Sequence, residues 1–263
     1  MNILFWNTGK RPNTKVIEQL LNEYHIDIAL FAEYTSLGID SVIQDCDDEY
    51  VWHDGNGGCE KITLIAKKDI KVSVVREHAR FTIYRCNSGT TQYIIIGAHL
   101  LDRIHHRQIS RMVPINALNE FALETEKNAG HDRTIIIGDL NLNPFEEEVI
   151  GKPGLNAVLF RSLIDKQEII QYCGKRYKRF YNPILTYWRD EIGKQGSIYY
   201  GSDEASIYWN CFDQVLMRRS VVPQYKSMEY VTQTTKTKLL ANIGPDKRYS
   251  DHLPLVVYFK EEV

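Results

Sequence analysis

Thr134-Ile135-Ile136-Ile137-Gly138-Asp139-Leu140-Asn141 is the stretch on which the reading of this chain turns. An uncharged run rich in β-branched residues reads as a strand buried on both faces. This one ends on a carboxylate, with an amide side chain two residues further on. Asp and Asn are turn formers, so a single ending of this kind is an ordinary strand exit. The same ending recurs along the chain, however. Asn7 closes Ile3-Leu4-Phe5-Trp6, Glu33 closes Ile28-Ala29-Leu30-Phe31-Ala32, and His99 closes Ile94-Ile95-Ile96-Gly97-Ala98. Asp251 and His252 stand just before a last apolar run, Leu255-Val256-Val257-Tyr258-Phe259. Strand exits aligned along one rim of a sheet would bring several carboxylates and two imidazoles together.

Working outward, short apolar runs predict strands over 2–6, 26–32, 62–66, 72–75, 79–86, 91–98, 134–138, 212–217 and 255–259. The pair 79–86 and 91–98, joined through Asn87-Ser88-Gly89, forms a hairpin. Helical spacing predicts one helix over 12–24 and a long one over 104–128, which Pro114 should kink or split. Residues 141–208 are the least regular part, and a hairpin inserted near 189–210 flanks Gly201-Ser202-Asp203-Glu204. It serves either as a cap on the domain or as a substrate contact. With no repeat and no linker, 1–263 reads as one α/β domain of stacked sheets with helices outside.

The 263 residues suffice to bury a core without staples. Lys plus Arg number 32 against 34 Asp plus Glu, a net charge of −2, so any basic footprint must be local. Five cysteines without a CxxC pair fit neither a disulfide framework nor a structural zinc site. No run approaches the roughly 20 apolar residues of a membrane span, and the N-terminus lacks a secretory pattern. The expectation is a reduced, cytoplasmic protein without a transmembrane segment; oligomeric state is silent in the sequence.

Clustered carboxylate and amide oxygens suit a hard cation that keeps water and substrate phosphate among its ligands. Histidine beside such oxygens is more useful as an acid or base than as a ligand. Metal-assisted hydrolysis of a phosphate ester is the chemistry this pattern points to.

The same residues carry a likeness. The chain resembles the endonuclease/exonuclease/phosphatase superfamily, the deoxyribonuclease-I-like proteins. The matching segments run in order: Phe5-Trp6-Asn7-Thr8, Asp27 through Glu33, Gly58 with the strand after it, Gly97-Ala98-His99-Leu100, Gly138-Asp139-Leu140-Asn141, Thr186-Tyr187-Trp188, Phe212-Asp213-Gln214-Val215-Leu216, and Tyr249-Ser250-Asp251-His252-Leu253-Pro254. The resemblance implies an α/β four-layer α/β/β/α sandwich of two packed, mainly antiparallel mixed sheets. It implies Mg²⁺ or Mn²⁺ on Asn7, Glu33 and Asp251. His252, oriented by Asp213, would be the general base or polarise the phosphate. Asp139 and Asn141 would position or activate water and phosphate, and His99 would stabilise the transition state or leaving group. One departure is Ala32, where the family often has Gln; the metal ligand stays, but a supporting hydrogen bond is removed.

Three features favour nucleic acid as the substrate partner. Lys175-Arg176-Tyr177-Lys178-Arg179 interleaves cations with aromatics that continue through Phe180-Tyr181, a pattern suited to following phosphates and stacking bases. Arg103, Arg107 and Arg111 recur every four residues after His99, either facing phosphates or lining a solvated helix face. The marks of inositol polyphosphate phosphatases are missing, since Asn141-Leu142-Asn143 and Phe212-Asp213-Gln214 stand in their places. Trp188 joins the expected substrate contacts. The leading expectation is a metal-dependent nuclease; the competing ones are a phospholipid or sphingomyelin phosphodiesterase, another phosphoesterase of the superfamily, and a catalytically silent binding module.

Overall fold

The computed structural model describes residues 1–34, 38–46, 49–53, 55, 57–189, 196–200 and 208–260. The first third of the chain alternates between strand and helix: β1 (Asn2–Asn7), α1 (Thr14–Glu23), β2 (Ile28–Ala32), α2 (Ile39–Asp45), β3 (Tyr50–His53) and β4 (Ile62–Lys67). An antiparallel meander follows in β5 (Lys71–His78), β6 (Phe81–Ser88) and β7 (Thr91–His99), then α3 (Gln108–Ala129) and β8 (Thr134–Asp139). The middle region holds α4 (Glu147–Ile150), β9 (Ala157–Val158), α5 (Arg161–Lys166), β10 (Ile169–Tyr172), β11 (Lys175–Lys178), β12 (Phe180–Tyr181) and α6 (Ile184–Arg189). Last come β13 (Ile198–Tyr199), β14 (Trp209–Asn210), β15 (Asp213–Met217), β16 (Tyr225–Tyr230) and β17 (Leu255–Phe259).

Two large mixed sheets result, ordered β16-β17-β1-β2-β4-β3 and β5-β6-β7-β8-β15-β12-β9. The uncharged strands read as buried on both faces because they lie between two apolar layers. Ile95, Ile135, Ile137, Val215 and Met217 join the core shared with the first sheet and with α1 and α2. Their neighbours Ile94, Ile96, Ile136 and Leu216 face the other way, against Ile115, Leu118 and Ala122 of α3. The result is the expected α/β/β/α sandwich. No described helix is long and apolar enough to cross a membrane.

Gly97 lies on the inner face of β7, where the two sheets approach. A Cβ there would come within 2.6 Å of Leu30 and 2.7 Å of Ile62, both of the facing sheet. Gly97→Ala is therefore expected to cost about 1–3 kcal/mol through overpacking, read as a lowered denaturant midpoint at unchanged slope.

Several expectations are corrected. The long helix starts at Gln108 rather than near 104 and passes through Pro114 as one element, with the proline ring buried. The first helix spans Thr14–Glu23 rather than 12–24. α2, β16 and the β10–β11 hairpin were not anticipated. The inserted hairpin has its base in β13 and β14, paired Ile198 with Asn210 and Tyr199 with Trp209. Its expected remainder, 190–195 and 201–207, lies outside the described residues.

Candidate active site

Register alone assembles half the site. β7 and β8 are parallel and end together, setting His99 beside Asp139; β15 runs antiparallel to β8 and starts with Asp213 beside the same Asp139. In the first sheet β1 and β2 are parallel, so Asn7 and the residue before Glu33 are partners. β17 begins opposite Phe5, which brings Asp251 and His252 to the same end.

Hydrogen bonds then join the two sheets. Asn7 Nδ2 donates to Asp139 Oδ2 at 3.0 Å, and Asn7 Oδ1 accepts from the Gly9 N–H at 3.1 Å. Asp139 Oδ1 accepts from the Asn141 N–H at 2.9 Å, while Asn141 Nδ2 donates to the Leu100 carbonyl. Glu33 and Asn141 occupy the left-handed region at φ 50° and 54°, a conformation costly for side-chain-bearing residues.

His252 is buried and bonded through Nδ1 to Asp213 Oδ2 at 2.7 Å, with Nε2 at 3.9 Å from Asp139 Oδ2. Burial works against its charged form, but the carboxylates of Asp213 and Asp139 outweigh it and push the imidazole up to about 10. For the fully buried Asp213 the loss of solvation dominates and raises its carboxyl, although His252 opposes this. His99 Nε2 lies 3.7 Å from both Glu33 Oε1 and Asp139 Oδ2. His99 Nδ1 and Asp213 Oδ1 are buried without a hydrogen-bond partner.

Two donor sets adjoin. Atoms of Asp139, Asp213 and His252 lie within 4.8 Å of one another. That set is buried and already closed on itself by the His252–Asp213 bond. Asn7, Glu33 and Asp251 instead line an open cavity of about 260 Å³ with Gly9, Arg11, Lys247 and His252. Its two carboxylates and one amide are all oxygen donors, the chemistry a hard divalent cation takes. In donor chemistry the expected ligands suit such an ion.

The expected substrate contacts divide. Arg103 pairs with Glu146 at 2.8 Å on the loop after β7, and Arg107 is exposed directly before α3. Arg111 is instead held by Glu148, both nearly buried, so the arginine stripe is broken at its third member. Trp188 is half-buried and stacks on Phe145, while its neighbour Tyr187 packs edge-on against Tyr230 at 5.2 Å and Tyr230 donates to the Asp213 carbonyl.

The basic stretch is a correction. Lys178 contacts Asp132, Glu126 and Glu168, and Arg218 donates to the carbonyls of Lys178 and Arg179. Asp132 and Arg218 flank the start of β8, where the Arg218 N–H meets the Thr134 carbonyl. Asp139 is at the other end of that six-residue strand, which rises about 3.3 Å per residue. Lys178 and Arg179, the latter donating to Gln167 O, are thus tied to the opposite pole, and Tyr177 between them and the turn is half-buried. Lys175 and Arg176 are solvent-exposed at the hairpin turn, where Lys175 pairs with Tyr172, a residue that lines a groove with Gln108 at the start of α3 and with Glu147.

Two contributors were missed. Ser197, fully buried at the base of the inserted hairpin, accepts through Oγ from the N–H groups of Phe212 and Asp213. Its carbonyl accepts from Leu253 N, and Ile198 bridges to His252, so the hairpin base is a wall of the site. Phe145, 55% exposed, stacks near-parallel on Trp188 with centroids 6.3 Å apart. A bulky apolar residue in the loop after Asp139 was its only signal.

No family model and no curated protein matches the chain. Solved structures do. The chain is similar to TDP2 of D. rerio complexed with a single-strand DNA product, with TM-score 0.63 and 13% identity over 99% of both chains. It is similar to a mannosyl-6-phosphatase of Bacteroides thetaiotaomicron, with TM-score 0.63 and 12% identity over 99% of this chain and 100% of that one. A 3′ phosphatase, NExo, from Neisseria, bound to a product DNA hairpin, gives 0.58 and 13% over 99% and 100%. An endonuclease/exonuclease/phosphatase family protein of B. thetaiotaomicron gives 0.60 at 13% identity over 100% and 98%. What these proteins share with the chain is architecture: it has the deoxyribonuclease-I-like fold.

Proposed function

We propose that this protein is a Mg²⁺- or Mn²⁺-dependent phosphodiesterase and that its substrate is a nucleic acid. The observation that carries the reading is the convergence of Asn7, Glu33, His99, Asp139, Asn141, Asp213, Asp251 and His252 from two sheets onto one pole, with His252 and Asp213 paired at 2.7 Å. Asn7, Glu33 and Asp251 would hold the cation, which when bound offsets charge on the phosphoryl oxygens. With Asp213 on Nδ1 and Asp139 nearby, His252 carries its proton near neutral pH and offers Nε2–H to a phosphoryl oxygen. Asp139, anchored by Asn7 and Asn141, is the carboxylate left to orient the attacking water and take its proton. Water oxygen forms the new bond to phosphorus, and the ester oxygen departs beside His99.

Nucleic acid is favoured by the exposed Phe145 stacked on the half-buried Trp188, a surface suited to a base, and by Arg103 and Arg107 on the loop after β7. DNA is also the product bound in the TDP2 and NExo structures. The equally high similarity to a sugar-phosphate phosphatase favours a second reading, a phosphomonoesterase. Five free cysteines, four of them buried, suit the reducing cytoplasm we assign to it.

The test is hydrolysis of single-stranded DNA, duplex DNA, RNA, a sugar phosphate and a lipid phosphodiester, each with Mg²⁺, Mn²⁺ or chelator. Metal-dependent cleavage of a polymer is expected; turnover of the sugar phosphate or lipid alone would transfer the protein to those readings. Asp251→Ala should weaken metal binding at least about tenfold by calorimetry and abolish turnover with it.

A further inference from the structure

The cavity lined by Glu33 and Asp251 is also lined by two cations. Arg11 enters from the loop between β1 and α1, and Lys247 from the loop before β17. Several other cations on the domain are held by carboxylates: Arg103 by Glu146, Arg111 by Glu148, Arg218 by Glu126, and Lys178 by three. Arg11 and Lys247 make no ion pair among the described residues, although two carboxylates share their cavity.

Arg11 is held apart by backbone. Its Nη1 donates to the Gly9 carbonyl at 3.2 Å. A Cβ on Gly9 would meet that nitrogen at 2.7 Å and Asp251 Oδ1 at 3.4 Å, so guanidinium and carboxylate flank the same glycine. Gly9 has φ 57°, and any side chain there would both strain the turn and fill the gap. Carboxylates open to a cation, with cations beside them not paired to those carboxylates, are what a metal-assisted phosphate site needs at its mouth. In this cavity of about 260 Å³ Asn7 and His252 are buried, whereas Arg11 is half-buried and Lys247 exposed, so the two cations stand on its solvent side, where a strand entering from solvent would present its next phosphate.

We propose that Arg11 and Lys247 form a clamp for the phosphate flanking the scissile one in a nucleic-acid strand. This rests on the nuclease reading, and the experiment separates the two. Wild type, Arg11→Gln, Lys247→Gln and the double variant are compared on a single-stranded oligonucleotide and on bis(4-nitrophenyl) phosphate, which has no flanking phosphate. Oligonucleotide binding is also followed by anisotropy, in chelator, at several salt concentrations. Each single variant should raise oligonucleotide KM and Kd about fivefold to tenfold and flatten the slope of log Kd against log salt by roughly 0.7. Turnover of the small diester should stay within about twofold. Equal losses on both substrates, or unchanged Kd and salt slope, would overturn the clamp. Small-diester turnover without polymer cleavage would end the nuclease reading, and the anisotropy series would still judge the clamp.

Discussion

His252→Ala is expected to lower kcat on the preferred phosphoester by about 10³-fold while metal binding persists. The ring is placed for chemistry by contacts that the substitution leaves intact. Trp6 Nε1 donates to the His252 carbonyl at 2.9 Å, and the His252 N–H donates to Ser250 Oγ, so the backbone keeps its path. What disappears is the one cationic donor in the cavity that is also buried. Loss of the ring leaves Asp213 buried without its partner, so part of the effect could arise from unfolding. His252→Gln, which retains bulk, separates the two: it should hold the melting temperature closer to wild type and still lose most turnover. Asp213→Asn should cost about 10²- to 10⁴-fold through orientation, and the Asp213→Asn/His252→Ala double variant should be scarcely worse than His252→Ala, because the pair acts as one unit. Steady-state kinetics beside calorimetric metal titration reads all of this. Undiminished turnover in His252→Ala would remove the proposed mechanism.

The site was legible because its residues occupy strand ends, where a switch from apolar to polar is visible in the chain itself. β7, β8 and β15 end or begin in register, so that adjacency in the fold follows from where each strand stops. β16 hid because Tyr225-Lys226-Ser227-Met228-Glu229-Tyr230 is an edge strand with little buried surface and no continuous apolar run. The Lys178–Arg179 end of the basic stretch misled for a different reason. Interleaved cations and aromatics look alike whether they face a phosphate chain or protein carboxylates, and the partners of Lys178 are distant in sequence at Glu126 and Asp132. Arg111 is the same case, bound to Glu148 across 37 positions. Ser197 matters through backbone N–H groups that no side-chain pattern reveals.

That opposite pole carries the second large effect, one on stability. Arg218→Ala is expected to destabilise the protein by about 3–5 kcal/mol. Arg218 is 1% exposed; Nε donates to Glu126 Oε1 at 2.7 Å, and its guanidinium carbon sits 3.6 Å from the centre of the Phe180 ring. Glu126 is itself buried and also receives Thr134 Oγ1 and Lys178 Nζ. The pair joins α3 to β8 and β15 at the end of the second sheet away from the site. Removing only the cation strands the carboxylate, whereas Arg218→Met with Glu126→Gln removes both charges and should recover much of the loss. Denaturant unfolding measures it, and the single substitution should lower the melting temperature by roughly 10 °C. Because this cluster is separated from Asp139 by the length of β8, kcat below the melting transition should remain near wild type. A stable Arg218→Ala with impaired cleavage would instead return the basic hairpin to the substrate path.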